Sequence, residues 1–187
     1  MATTDDTEHV PQTPRDVAKR VLAIIAVVEK AHNVNPVELD RWVTAHRIHE
    51  YLSPLEAAFF GKRDPSQQEI VTQSWRAESL VPLLWALGLI DELPPLNLQF
   101  SWQFVRGLSS AIADPEAFIR TACLRSREVL DEAEAHLYHQ HWRVRDAQLF
   151  GKPMPEELDP GIVYERRYGA SWLVGWSHDW DNVPTDT

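Results

Sequence analysis

The chain reads as all-α: a single compact helical domain of about seven helices in an orthogonal or irregular bundle. Three observations predict this. Helix-entrance signals recur at Thr13–Pro14, Asn35–Pro36, Ser53–Pro54, Asp64–Pro65, Asp114–Pro115 and Asp159–Pro160, each a capping side chain directly before a proline. Proline at the first helical position loses nothing, because the N–H it lacks would have no partner there. Six of the 13 prolines therefore mark helix entrances, and alternating strand patterns are absent from the sequence. Finally, four aromatic rings recur at four-residue spacing, Tyr164, Tyr168, Trp172 and Trp176, which a helix would stack along one side.

The elements follow in chain order. The entrance at Thr13 leads to the most apolar run, Val21 to Val28. A bilayer span needs about 20 such residues, so this run is a core helix. Asn35 with Glu38, and Ser53 with Glu56, have capping-box spacing at the next two entrances. A helix from about Ile70 to Leu87 sets Glu78 among Trp75, Val81 and Trp85, and a carboxylate on such an apolar face needs a partner or water. Pro82 cannot donate to the Glu78 carbonyl, so a kink or a freed acceptor is expected at that turn. Gly88 reads as the helix terminator, and Leu93 to Leu98, with its paired prolines, as the main internal loop and only plausible domain seam. A helix enters at Asp114, a long one runs from about Ser126 to Phe150, and the last enters at Asp159. Residues 1–13 are expected to form a flexible amino-terminal segment, and 14–187 the single helical domain.

Composition narrows the function classes. A chain of 187 residues with 44% hydrophobic and 25% charged residues can bury one sizeable core. The formal charge of -10 repels phosphate backbones and anionic headgroups, which disfavours nucleic-acid and membrane-surface partners. Cys123 is the single cysteine, read as a quiet structural thiol behaving as a small hydrophobe, so nothing demands an oxidising compartment. Asp5, Asp6 and Glu8 stand where a secretory leader would be basic. A cytoplasmic setting is the expectation.

Glu78 has two readings: an internal ion pair with an Arg from another helix, holding the two in register, or a ligand contact at a kinked helix. The long helix carries a stripe of Leu130, Ala133, Leu137, His141 and Val144, flanked by Arg127, Asp131, Glu134, Tyr138, Trp142 and Arg145. Acids beside an Arg and a His acquire displaced pKa values suited to proton transfer, yet ion pairs within and between helices explain the same row. The candidate polar seam is Arg76, Glu78, Arg127, Asp131, Glu134, His141, Trp142 and Arg145, with catalytic residues left open.

Two sets invite a metal reading: His46, His49 and Glu50 on one helix, and Glu132, His136 and His139 on another. The second set lies opposite Leu130, Leu137 and Val144, toward solvent. No Glu-x-x-His pair of the di-iron bundle type and no H-E-x-x-H motif occurs, so no metal is assigned. Nucleophile elbows, P-loops and dinucleotide fingerprints are also missing from a chain with seven glycines, and no cofactor is expected. The last helix, with its aromatic ladder and a stripe of Val163, Arg167, Ala170 and Val174, should be sandwiched. Beyond it Trp180 is expected to pin the chain end, with Asp181 and Asp186 meeting Arg145 or Arg167.

Three segments together resemble a known family. They are Ser74-Trp75-Arg76-Ala77-Glu78 with Leu84-Trp85-Ala86-Leu87-Gly88, then Arg127 to Asp146, then Leu158-Asp159-Pro160-Gly161 through Tyr164-Glu165-Arg166 to the closing Thr-Asp-Thr. In combination they are similar to the family called domain of unknown function 4272, from roughly Leu39 to Thr187. The resemblance implies a bacterial intracellular helical protein and carries over no activity, cofactor or catalytic residue. Glu134 stands where that pattern has Asp, keeping the charge and lengthening the reach. The leading expectation is a non-enzymatic module that binds a protein or a small-molecule ligand. The alternative is a hydrolase- or lyase-like enzyme using Asp131, Glu134 and His141, with Arg76, Arg127 or Arg145 holding a small anionic substrate. A homodimer is compatible with the eight Trp, although no heptad run specifies one.

Overall fold

The computed structural model describes residues 9–186, among which there are eight α-helices, two short 3-10 turns and no strand. The acidic positions Asp5, Asp6 and Glu8 lie outside the described residues, as does Thr187. The helices are α1 (Pro14–His32), α2 (Pro36–Ala45), α3 (Pro54–Gly61), α4 (Gln67–Ala86), α5 (Leu108–Ala113), α6 (Pro115–Thr121), α7 (Arg127–Phe150) and α8 (Pro160–Leu173). The 3-10 turns are Ile48–Tyr51 and Trp102–Phe104. None of these helices is long and apolar enough to cross a membrane.

Five of the six expected entrances open helices. Thr13, Asn35, Ser53 and Asp114 each accept from the backbone N–H three residues on, and Asp159 accepts from those of Gly161 and Ile162. The Asp64–Pro65 entrance is displaced. Ser66 and Glu69 form a complete capping box, so α4 starts at Gln67. At Ser53 the box is also complete, whereas the Glu38 carboxylate takes the Asn35 side-chain amide instead of the backbone N–H.

The four long helices pack in the order α1, α4, α8, α7, and the shorter helices gather around α1. This order leaves α1 and α8 enclosed. Every residue from Val21 to Val28 is buried, and so is every residue from Glu165 to Leu173. The α4–α8 contact is unusually close at Gly169, where a built Cβ would lie 2.3 Å from the Ser79 carbonyl oxygen and 2.9 Å from Pro82 Cγ. No side chain larger than hydrogen fits there. Pro82 thus sits inside an uninterrupted helix at the turn where α8 presses closest.

The described residues just before α1 lie against the end of α8 and the turn that follows it. Gln12 donates its backbone N–H to Leu173 O and its amide to the carbonyls of Trp172 and Ser177, and His9 stacks on Trp176. Gly175, at φ +93°, makes this possible, since a Cβ there would lie 2.1 Å from Val10 O. Cys123, read as a quiet structural thiol, is exposed. It lies on the irregular connection between α6 and α7, where its neighbours Ala122 and Leu124 are half-buried instead.

Candidate functional site

Three successive residues of α8, Glu165, Arg166 and Arg167, are all buried although they point about 100° apart around the helix axis. Each must find its own counter-group, because an unpaired buried charge is very costly. Glu165 accepts from Ser79 Oγ at 2.5 Å and pairs with Arg76 on α4 at 3.2 Å. Arg76 in turn lies over the Tyr168 ring, 4.2 Å from its centre.

Arg166 meets Glu78, its Nε and Nη2 both 2.9 Å from the same carboxylate oxygen. Its remaining N–H groups donate to the carbonyls of Pro94, Pro95 and Leu98 at 2.6, 3.0 and 3.0 Å. The other Glu78 oxygen accepts from the Phe100 N–H at 2.8 Å. The pair therefore does more than hold α4 and α8 in register: it fixes the proline-bearing loop across both ends. The segment read as a domain seam is pinned to the core.

Arg167 turns toward α7. Its Nη1 lies 2.7 Å from His141 Nδ1, and it also donates to the carbonyls of Thr185 and Asp186. A guanidinium only donates, so His141 Nδ1 accepts and the ring carries its proton on Nε2. Burial and the charges of Arg167 and Arg145 push His141 down to about 4, consistent with a neutral imidazole. Glu134 accepts from Ser171 Oγ at 2.9 Å, and burial raises its pKa against that bond and the Arg167 charge. Glu134 and His141 are thus gathered about one buried cation, with the carboxyl-terminal segment bonded to it.

The eight seam residues do not form one site. Glu78 belongs to the loop clamp and Arg76 to the Glu165 pair, while Glu134 and His141 surround Arg167. Asp131 pairs with Arg127 at 2.6 Å on the surface, Arg145 bonds only Gln148 among the described residues, and Trp142 is half exposed against His139. The row on α7 sits at the edge of its contact with α8, so Glu134 is buried, Asp131 is half-buried, and Arg127, Tyr138, Trp142 and Arg145 are exposed. The two metal-like sets are also dispersed. His46 ends α2, Arg47 turns the backbone to φ 56°, and Glu50 bonds Arg47. Glu132, His136 and His139 are exposed, as their place opposite the apolar stripe predicts. Among the described residues, no group of three or more His, Cys, Asp and Glu is arranged to hold an ion.

A second buried ionic group was not anticipated. Arg20 donates to Glu56 at 2.5 Å and to the Tyr51 carbonyl at 2.9 Å, with Trp180 and Trp172 beside its guanidinium at 4.8 and 6.0 Å. Its sequence signal was its place directly before the apolar run, at helical spacing between Val17 and Ile24. Asp181, expected to meet an Arg, instead accepts from Ser53 Oγ and the Leu55 N–H at the entrance of α3. Of the eight seam residues, only Glu78 lines one of five clefts on the described surface.

The family model described as Domain of unknown function (DUF4272) matches residues 2–183. The match takes in the residues before Leu39 that the three resembling segments left out. No curated protein and no solved structure matches the chain.

Proposed function

The chain belongs to the domain of unknown function 4272 family, and from that premise we propose a non-enzymatic module that binds its ligand in a surface cleft, with the charged seam as scaffold. The observation that supports this reading is how the seam's groups are used. Both Glu78 oxygens are occupied, Glu134 and His141 are buried about Arg167, and the five clefts with defined linings are built from other residues, Glu78 alone of the seam lining one of them. A bacterial, cytoplasmic setting belongs to the same reading, supported by the single cysteine; the charge of -10 argues against nucleic acid and membrane surfaces as partners.

The test is a thermal-shift screen of the purified protein against pooled small metabolites, followed by recovery of each stabilising compound. Saturable stabilisation, with the compound recovered unchanged and the Glu134→Gln and His141→Gln variants still binding, is expected. Conversion of the compound by the wild type, abolished in either variant, would overturn it.

One observation favours a second reading. The raised Glu134 and lowered His141 put a protonatable acid and a neutral base around one Arg, the pattern of acid–base sites. On that reading the carboxyl-terminal segment would have to move to admit a small anionic substrate, and the same screen detects it as turnover.

A further inference from the structure

Of the five clefts, one has walls that hold acids and no base. It opens between α1, α2 and α5, with a volume of about 430 Å³, and its walls include Ile25 and Glu29 of α1, Glu38, Leu39 and Trp42 of α2, and Ile112 of α5. Each of the other four counts at least one His, Lys or Arg in its lining. The apolar part is set by the fold. Trp42 donates its indole N–H to the Ile112 carbonyl at 2.8 Å, which joins α2 to α5, and Ile25 and Trp102 are buried behind it.

Glu29 is the feature that the fold leaves unexplained. The four buried carboxylates, Glu56, Glu78, Glu134 and Glu165, each accept at least one hydrogen bond. Glu29 is half-buried one helical turn beyond Ile25, and among the described residues it has neither a hydrogen bond nor an ion pair. Burial raises its pKa, and the one opposing influence is the charge of His32, a turn further on. Glu29 also lines the neighbouring cleft, but the cations there do not reach it: Lys30 donates to the Lys62 carbonyl, Lys62 pairs with Glu69, and Arg63 makes no pair with it. A carboxylate partly withdrawn from water without a partner costs stability.

Charge and surface together select the ligand. An anion would meet Glu29 and Glu38 with no cation to offset them. A metal ion would need more ligands than these two carboxylates, and no group of three or more His, Cys, Asp and Glu among the described residues is arranged to hold one. Glu38 gives one oxygen to the Asn35 amide at 2.7 Å, which leaves the other for a donor at the rim. Leu39, Trp42 and Ile112 offer surface to an apolar body.

Resting on the binding-module reading, we infer that the cleft between α1, α2 and α5 is a site for a small organic ammonium with an apolar body. Its charged end pairs with Glu29, Glu38 adds attraction from the rim, and its body lies against Leu39, Trp42 and Ile112.

Calorimetric titration of the full chain with tryptamine, phenethylamine and hexylamine tests this, beside indolepropionate, which reverses the charge, and putrescine, which lacks the apolar body. Saturable binding of at least one of the three amines is expected, with indolepropionate and putrescine each at least about tenfold weaker. Glu29→Gln should weaken binding about tenfold and leave the urea midpoint unchanged or higher, since the charge it removes has no partner. Val34→Lys, at a lining position that is 69% exposed, brings a tethered cation to the mouth and should weaken binding at least about tenfold with Glu29 intact. Absence of binding by all three amines overturns the inference, as does binding that neither variant changes. Indolepropionate as tight as tryptamine overturns the cation, and putrescine as tight overturns the apolar body. If no amine binds but another class of compound does in the metabolite screen, this site falls and the module stands, whereas amine turnover would sink the module and this inference with it.

Discussion

Glu78–Arg166 and Arg127–Asp131 are the same chemical contact, a carboxylate against a guanidinium at under 3 Å, in opposite surroundings. The side chains of Glu78 and Arg166 are 4% and 1% exposed, those of Arg127 and Asp131 42% and 45%. In water the i,i+4 pair on α7 gains a few tenths of a kcal/mol at most, since solvent screens it and two long side chains must be held in place. In the core the Coulombic gain is offset by desolvation, so the buried pair is not a strong net stabiliser either. What differs is the commitment. Arg166 also completes three loop carbonyls and Glu78 completes a loop N–H, so removing either partner strands several groups at once.

The sharpest way to break the comparison is Arg166→Met, which leaves Glu78 charged and buried and three carbonyls without their donor. A loss of about 3–5 kcal/mol is expected in urea unfolding. A smaller loss for Glu78→Gln/Arg166→Met together would locate the excess in the orphaned charge, and equal losses would instead locate it in the loop.

The Arg167 centre comes next, because its effect depends on pH. His141 is depressed from 6.5 to about 4 in the fold. The stability it contributes is therefore fully present above pH 6.5 and lost as pH falls toward 4, about 3 kcal/mol over that interval. Glu134 works in the opposite direction: its raised pKa gives a contribution fully present below about 4.5 and lost as pH rises. His141→Gln keeps an acceptor for Arg167 and removes only the first of these. Urea midpoints measured from pH 7 to 4 should fall less steeply for the variant than for the wild type, and parallel profiles would contradict the neutral imidazole.

The smallest expected effect is on the surface. Asp131→Asn should change stability by less than about 0.5 kcal/mol, with no salt dependence beyond that of the wild type's one lost pair. A loss comparable with Arg166→Met would mean that the α7 row acts as one unit after all.

How far these pairs were legible in the sequence follows from how local their causes are. Helix entrances depend on three or four consecutive residues, which is why five of six were readable, and why the Asp64 cap gave way to a complete capping box at Ser66, two residues later. Glu78 stood out among Trp75, Val81 and Trp85, and an Arg from another helix was the expected partner. Its identity as Arg166 was not readable, because it depends on how closely α4 and α8 approach, which a single hydrogen at Gly169 controls. The α7 row was visible as a pattern, but not which members would face α8. Arg20 could have been found, since an Arg beside Val21 in a core helix must be paired. Its partner could not, because Glu56 already had a local role as the cap of Ser53.

Asp181 ties the entrance of α3 to the stretch after α8, Trp180 accepts from the Tyr168 hydroxyl, and Arg167 holds Thr185 and Asp186. In hydrogen-exchange terms these segments form one opening unit although more than a hundred residues separate α3 from the chain end. The Leu55 amide, whose acceptor is Asp181 alone, should then exchange in step with the release of residues 180–186, reporting from a distance on whether the buried cation of α8 is still covered.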